Sequence, residues 1–252
     1  MSGLIFSFKS LIDECDTIEA YASDFLDKTT VTALAEAKSA LQNIQAAKHS
    51  KSIKWEIPRD RPLSTIWSKG ESQPDSKGGH KLKAAFSFVW DLRRLDASKS
   101  KGTDKYCVLE GRASTVTTII GEAVDGSEQV FARWTADVGS HDSPGSHFHF
   151  QVNRSDSEDL PFPKSLDIPR LPSPLMSPFL SIDFALGELF QDRWKKHALA
   201  EGRHTNRWRN LHEDRLIRFF QWQIERVRAS AGSPWMALKL AKPSRDLLTK
   251  TK

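Results

Sequence analysis

The sequence predicts an α+β fold: an N-terminal helical hairpin, an antiparallel meander sheet of four or five strands, and a C-terminal pair of long helices. Three observations lead there. Apolar residues recur at three- and four-residue steps through the first 48 residues, which is the helical period. From residue 81 the period changes to two, the signature of strands with one apolar face. From residue 177 the helical period returns after a run of prolines.

In chain order, residues 8–28 read as a first helix on the strength of Leu11, Ile12, Cys15, Ile18 and Tyr21. Thr29-Thr30 offers a stop and a fresh N-cap. Residues 31–48, rich in Ala, Leu, Gln and Lys, read as a second helix with Leu34, Ala37, Leu41 and Ile44 on one face. This hairpin, residues 1–50, is expected either to pack as a layer or to offer a protein partner a docking or dimerisation surface through residues 1–48. The remainder, 51–252, reads as one α+β domain, with the sheet at 52–153.

Residues 52–57 suit a strand halted by Pro58. Residues 68–80 hold three Gly, three Ser and a Pro with no apolar side chain, the composition of a mobile loop. Three long strands follow. In the first, Leu82, Ala84, Phe86, Phe88, Trp90 and Leu92 form an apolar row. Residues 106–122 are β-branched, with Gly111 marking a bend. After an Asp125-Gly126 turn, residues 129–138 set Val130, Ala132, Trp134, Ala136 and Val138 against Phe131, Arg133, Thr135 and Asp137.

The next strand, Ser146-His147-Phe148-His149-Phe150-Gln151-Val152, carries the most chemistry. Successive side chains of a strand point to opposite faces. His147, His149 and Gln151 therefore share one face, and Phe148, Phe150 and Val152 the other. A stiff crossover over 154–178 follows, with six prolines between 160 and 178. Its Pro169-Arg170-Leu171-Pro172 matches a PxxP ligand, although proline-rich crossovers need no partner. Ser177-Pro178 then pairs an N-cap with a first-position proline. Helices are expected over 179–230, the second of them from 207 to 228, and then a basic tail in which Trp235, Met236 and Leu238 are available to dock.

The chain carries a net charge of +5. Between residues 195 and 228 nine basic residues face four acidic ones, so this segment alone matches that total. A patch of this kind attracts phosphates, and Arg170, Arg203, Arg207 and Arg209 are its candidate phosphate ligands, for a nucleic acid or nucleotide. The alternative is a solvated helix face laced with ion pairs. Two distant cysteines make neither a disulfide framework nor a cysteine zinc site. The brief apolar start, broken by Lys9, and the lack of any run of about eighteen apolar residues predict a cytoplasmic protein away from membranes.

Several chemistries stay open for the histidine strand. His147 and His149, joined by His141, Asp137 or Asp142, have the donors for a metal ion, but the spacing is common and no HExxH is present. Glu110-Gly111-Arg112 comes nearest to a nuclease pattern, with Arg where Lys is needed. The plain structural reading has His and Gln bonding backbone carbonyls beneath the crossover. No cofactor is assigned.

His147-Phe-His149-Phe-Gln151-Val resembles the histidine-triad superfamily, in particular the branch of nucleotidyltransferases and dinucleoside polyphosphate phosphorylases in which Gln replaces the third His. The resemblance implies a nucleotide hydrolase or transferase with His149 as nucleophile, His147 orienting the motif and Gln151 bonding the phosphate. It departs from the pattern at Asn153, where an apolar residue belongs. Over residues 140–195, the His-x-His strand, Ile168-Pro-Arg-Leu-Pro-Ser-Pro174 and Ile182-Asp-Phe-Ala-Leu-Gly-Glu-Leu-Phe190 are similar to a group of uncharacterised bacterial proteins. That likeness implies an accessory component of a mobile-element or phage-defence locus.

Overall fold

The computed structural model describes residues 3–47, 51–72, 81–95, 105–123, 125–139, 146–153 and 171–249. A short strand β1 (Ile5–Ser7) leads into helices α1 (Phe8–Tyr21) and α2 (Lys28–Ala46). Then come β2 (Ile53–Ile57), β3 (Leu63–Ser64), β4 (Leu82–Arg94), β5 (Tyr106–Glu122), β6 (Glu128–Val138), β7 (Phe148–Asn153) and β8 (Leu171–Pro172). Helices α3 (Pro178–Ala198), α4 (Arg203–Arg228) and α5 (Pro234–Leu240) close the chain.

The architecture is α+β, and the hairpin, the meander and the long helical pair are all present. The sheet is larger than the expected four or five strands: among the described residues it has eight, in the order β2-β4-β5-β6-β7-β8, with β1 beside β5 and β3 beside β4. The added strands β1, β3 and β8 have two or three residues each, too few to show a period of two. The length of β5 makes room for β1. Its far half, from Ser114, pairs with β6, while Tyr106 to Val108 pair with Ser7 to Ile5. Between the halves Gly111 sits at φ +100°, next to the register shift opposite Trp90 and Leu92. An L-residue rarely adopts that φ, so the bend calls for glycine.

Helix starts follow capping chemistry. Ser177 Oγ accepts from Leu180 N, with Pro178 in the first turn, as the sequence predicts. At α2 the cap is Asp27 instead of the Thr29-Thr30 pair. Its carboxylate accepts from Thr29 N and Oγ1, at 2.9 and 2.8 Å, and these bonds hold its carboxyl below the usual range. Thr30 is turned inward, where its hydroxyl exchanges hydrogen bonds with the backbone of Ser64.

The core lies between one face of the sheet and the helices. Trp55 and Phe88 pack their rings on Phe179 of α3, and Trp55 Nε1 donates to Ala37 O of α2. Hairpin residues such as Leu11 and Leu34 share this cluster with Phe6 of β1 and Trp90 of β4. A second junction is polar. Glu14 of α1, fully buried, pairs with Arg215 of α4, and His212 lies against the same carboxylate. Asp183 of α3 accepts from Trp208 Nε1 of α4 at 2.8 Å, while burial pushes its carboxyl upward. Of the tail residues expected to dock, Trp235 and Met236 are exposed; Leu248 is buried in their place. Among the described residues no helix is long and apolar enough to cross a membrane.

Candidate functional site on the outer face of the sheet

Cross-strand register assembles the site. Directly opposed residues of antiparallel strands project from the same face. One row runs Val89 (β4), Ser114 (β5), Asp137 (β6), His149 (β7). The next runs Ser87, Val116, Thr135, Gln151. The helices cover the other face: Phe148 packs on Phe219 and Trp222 of α4, and Phe150 on Phe184 of α3. His149 and Gln151 alternate with these rings, so both face outward, away from the helices.

There they line a cavity of about 370 Å³ with Ser114, Thr135, Asp137, Gly139 and Arg59. Arg59, in the turn after β2, also borders an adjoining cavity over β2, β4 and β5. Arg59 is exposed and has no ion-pair partner among the described residues.

The His149 ring is buried and held at one nitrogen. Nδ1 lies 2.8 Å from Ser146 O. A carbonyl oxygen only accepts, so Nδ1 carries the proton. Nε2 then faces Asp137 Oδ2 at 3.6 Å, too long for a hydrogen bond but close enough for the carboxylate to neutralise the ring when it is protonated. Gln151 Nε2 donates to the same Oδ2 at 3.3 Å. On the cavity wall Thr135 Oγ1 and Gln151 Oε1 are buried with no hydrogen-bond partner among the described residues. Buried polar atoms are nearly always satisfied, so this adjacent pair of acceptors has unused hydrogen-bonding capacity facing the cavity.

The expected site residues are only partly brought together. His149 and Gln151 share the cavity. His147 precedes the strand, buried with its ring against Phe148, and is not among the lining residues. The apolar row thins toward the strand end, where Val152 is 53% exposed. Arg203, Arg207 and Arg209 are exposed on α4, across the sheet from the cavity, and Arg207 is paired with Asp13 at 3.0 Å. Arg170, His141, Asp142 and most of the proline-rich crossover lie outside the described residues. So does the loop at 73–80. Among the described residues no group of three His, Cys, Asp or Glu side chains suits a metal ion. Glu110, of the nuclease-like triplet, is engaged by Arg93 at 2.7 Å, which holds its carboxyl below the usual range.

Sequence reasoning missed Arg59, Ser114 and Thr135 as site residues. The alternation of 129–138 already set Thr135 and Asp137 on one face, but only the register shows that this face meets His149.

Fold and site define an α+β protein with a polar, ligand-sized cavity on the outer face of an antiparallel sheet. No family model matches the chain, and no curated protein or solved structure matches it either.

Proposed function

We propose that the protein binds a small phosphate-bearing ligand of mononucleotide size in the outer-face cavity. The observation that carries this reading is the pair of buried, unpartnered oxygens on Thr135 and Gln151, set beside the His149–Asp137 couple. The cavity volume falls within the range of small-molecule sites. Arg59, without an ion-pair partner among the described residues, supplies a guanidinium at the rim for the phosphoryl oxygens. His149, when protonated, offsets the Asp137 carboxylate that would otherwise repel the phosphoryl group, and the Thr135 and Gln151 oxygens accept from sugar or base N–H and O–H groups. The arginines of α4 take no part, since they lie on the helical side. Inorganic phosphate and the ribonucleoside monophosphates are the probes: saturating ligand raises the unfolding temperature by mass action. A panel that leaves the melting curve unmoved at millimolar concentration overturns the proposal.

A second reading is favoured by the anchoring of Nδ1. That bond puts the proton on Nδ1 and the lone pair on Nε2, the protonation state that a histidine nucleophile attacking an α-phosphate requires. It predicts that a nucleoside phosphoramidate is hydrolysed by the native chain and spared by His149→Ala. Turnover retained in that variant removes the reading.

A further inference from the structure

The inner face of α4 is built from Trp208, His212, Arg215, Phe219 and Trp222, all buried. Half a turn round the helix, charge and solvent are expected. Instead Ile217, Phe220 and Ile224 stand there, 47%, 48% and 49% exposed, at steps of three and four residues. Trp235, Met236 and Leu240 of α5, which packs beside α4, extend the apolar surface. A cluster of exposed apolar side chains on one helix face is the usual mark of an interaction site.

We propose that this surface is a homodimer interface in which α4 packs antiparallel against α4 of a second copy about a two-fold axis. The stripe is complementary to its own reverse. An axis between Phe220 and Gln221 sets Ile217 opposite Ile224 of the second copy. The same axis brings Phe220 near its own counterpart. One turn further out, it sets Glu213 opposite the second copy's Arg228. The two-fold repeats every contact, so the apolar centre is flanked by two opposite-charge pairs. Glu213 and Arg228 are both exposed, and neither has an ion-pair partner among the described residues. Three other charges of the helix are engaged away from this seam: Arg207 and Arg215 point to Asp13 and Glu14 of α1, and Arg218 donates to Leu248 O. A different protein with an apolar groove would also cover Ile217 and Phe220, but it has no reason to present the mirror-ordered charges that a second copy supplies.

Sedimentation velocity of the full chain over a concentration series tests the proposal. The native chain is expected to dimerise, and Phe220→Glu to be monomeric with the melting temperature of the native chain diluted below its dimer dissociation constant. Glu213→Arg and Arg228→Glu each place like charges opposite one another twice and weaken the dimer roughly tenfold. The double variant Glu213→Arg/Arg228→Glu restores the pairs in reverse and returns the dissociation constant to within roughly threefold of native. An equimolar mixture of the two single variants forms a heterodimer tighter than either homodimer. A native chain that stays monomeric, or a double variant no tighter than the singles, overturns the proposal.

Discussion

His149 and Asp137 stand directly opposite each other on β7 and β6, with Nε2 of the imidazole 3.6 Å from a carboxylate oxygen and Nδ1 held by the Ser146 carbonyl. The ring is thus oriented from behind by the backbone and faced in front by a negative charge, in a cavity whose other polar groups come from neighbouring strands. The tautomer of the neutral ring follows: the proton resides on Nδ1. Long-range proton–nitrogen correlation spectra of labelled protein with the ring neutral are expected to show that form. A resonance pattern with the proton on Nε2 would contradict the geometry.

Stability at mildly acid pH is governed in part by His212. Burial, opposed by Glu14 and reinforced by Arg215, pushes its folded-state pKa down to about 4 from the ordinary 6.5. Between those values the unfolded chain binds the proton and the folded chain does not. Stability from this residue is therefore complete above pH 6.5 and falls as the pH drops toward 4, at about 1.4 kcal/mol per unit. Urea titrations across this window should show the slope, and His212→Leu should flatten it. An unchanged slope in that variant would assign the effect to other groups.

The Glu14–Arg215 pair joins α1 to α4 in the interior. Arg215→Met strands a buried carboxylate and is expected to cost about 3–5 kcal/mol. Replacing both residues, Glu14→Leu with Arg215→Met, removes the stranded charge and should recover much of that loss, because the desolvation of both ions disappears with them. Chemical denaturation of the single and double variants checks the sign. A double variant as unstable as the sum of the singles would show that packing, not charge, dominates the site.

Gly111→Ala is expected to lower stability by about 1–3 kcal/mol. The substituted residue has to hold φ +100°, and its Cβ would lie 2.8 Å from Asp91 Oδ2. The loss should appear as a lower melting temperature. A neutral substitution would mean that the bulge relaxes freely.

The long elements were legible in the sequence. The alternation from Leu82 to Leu92 marked β4, residues 106–122 coincided with β5, and Ser177-Pro178 marked the start of α3. Helices and long strands announce themselves by period, and their caps by local chemistry. Pairing does not. Nothing local in Ile5–Ser7 or Leu171–Pro172 indicates the strand it joins, so the sheet grew beyond its expected size. The candidate site was half legible for the same reason. His149 and Gln151 follow from alternation within one strand. Ser114 and Thr135 reach them only through register, and Arg59 only through the turn after β2. The arginines of α4 look from composition like companions of the histidines. Their position across the sheet follows from the packing of Phe148 on Phe219, a contact between residues 71 positions apart.

The most direct test is calorimetric titration of the best ligand from the phosphate and mononucleotide panel into the native chain, His149→Ala and Arg209→Glu. Saturable binding is expected in the native chain, unchanged in Arg209→Glu and weakened at least roughly tenfold in His149→Ala, the loss of about one charged hydrogen bond. Native affinity in His149→Ala together with lost affinity in Arg209→Glu would place the ligand on the helical side and contradict the assignment of the outer-face cavity.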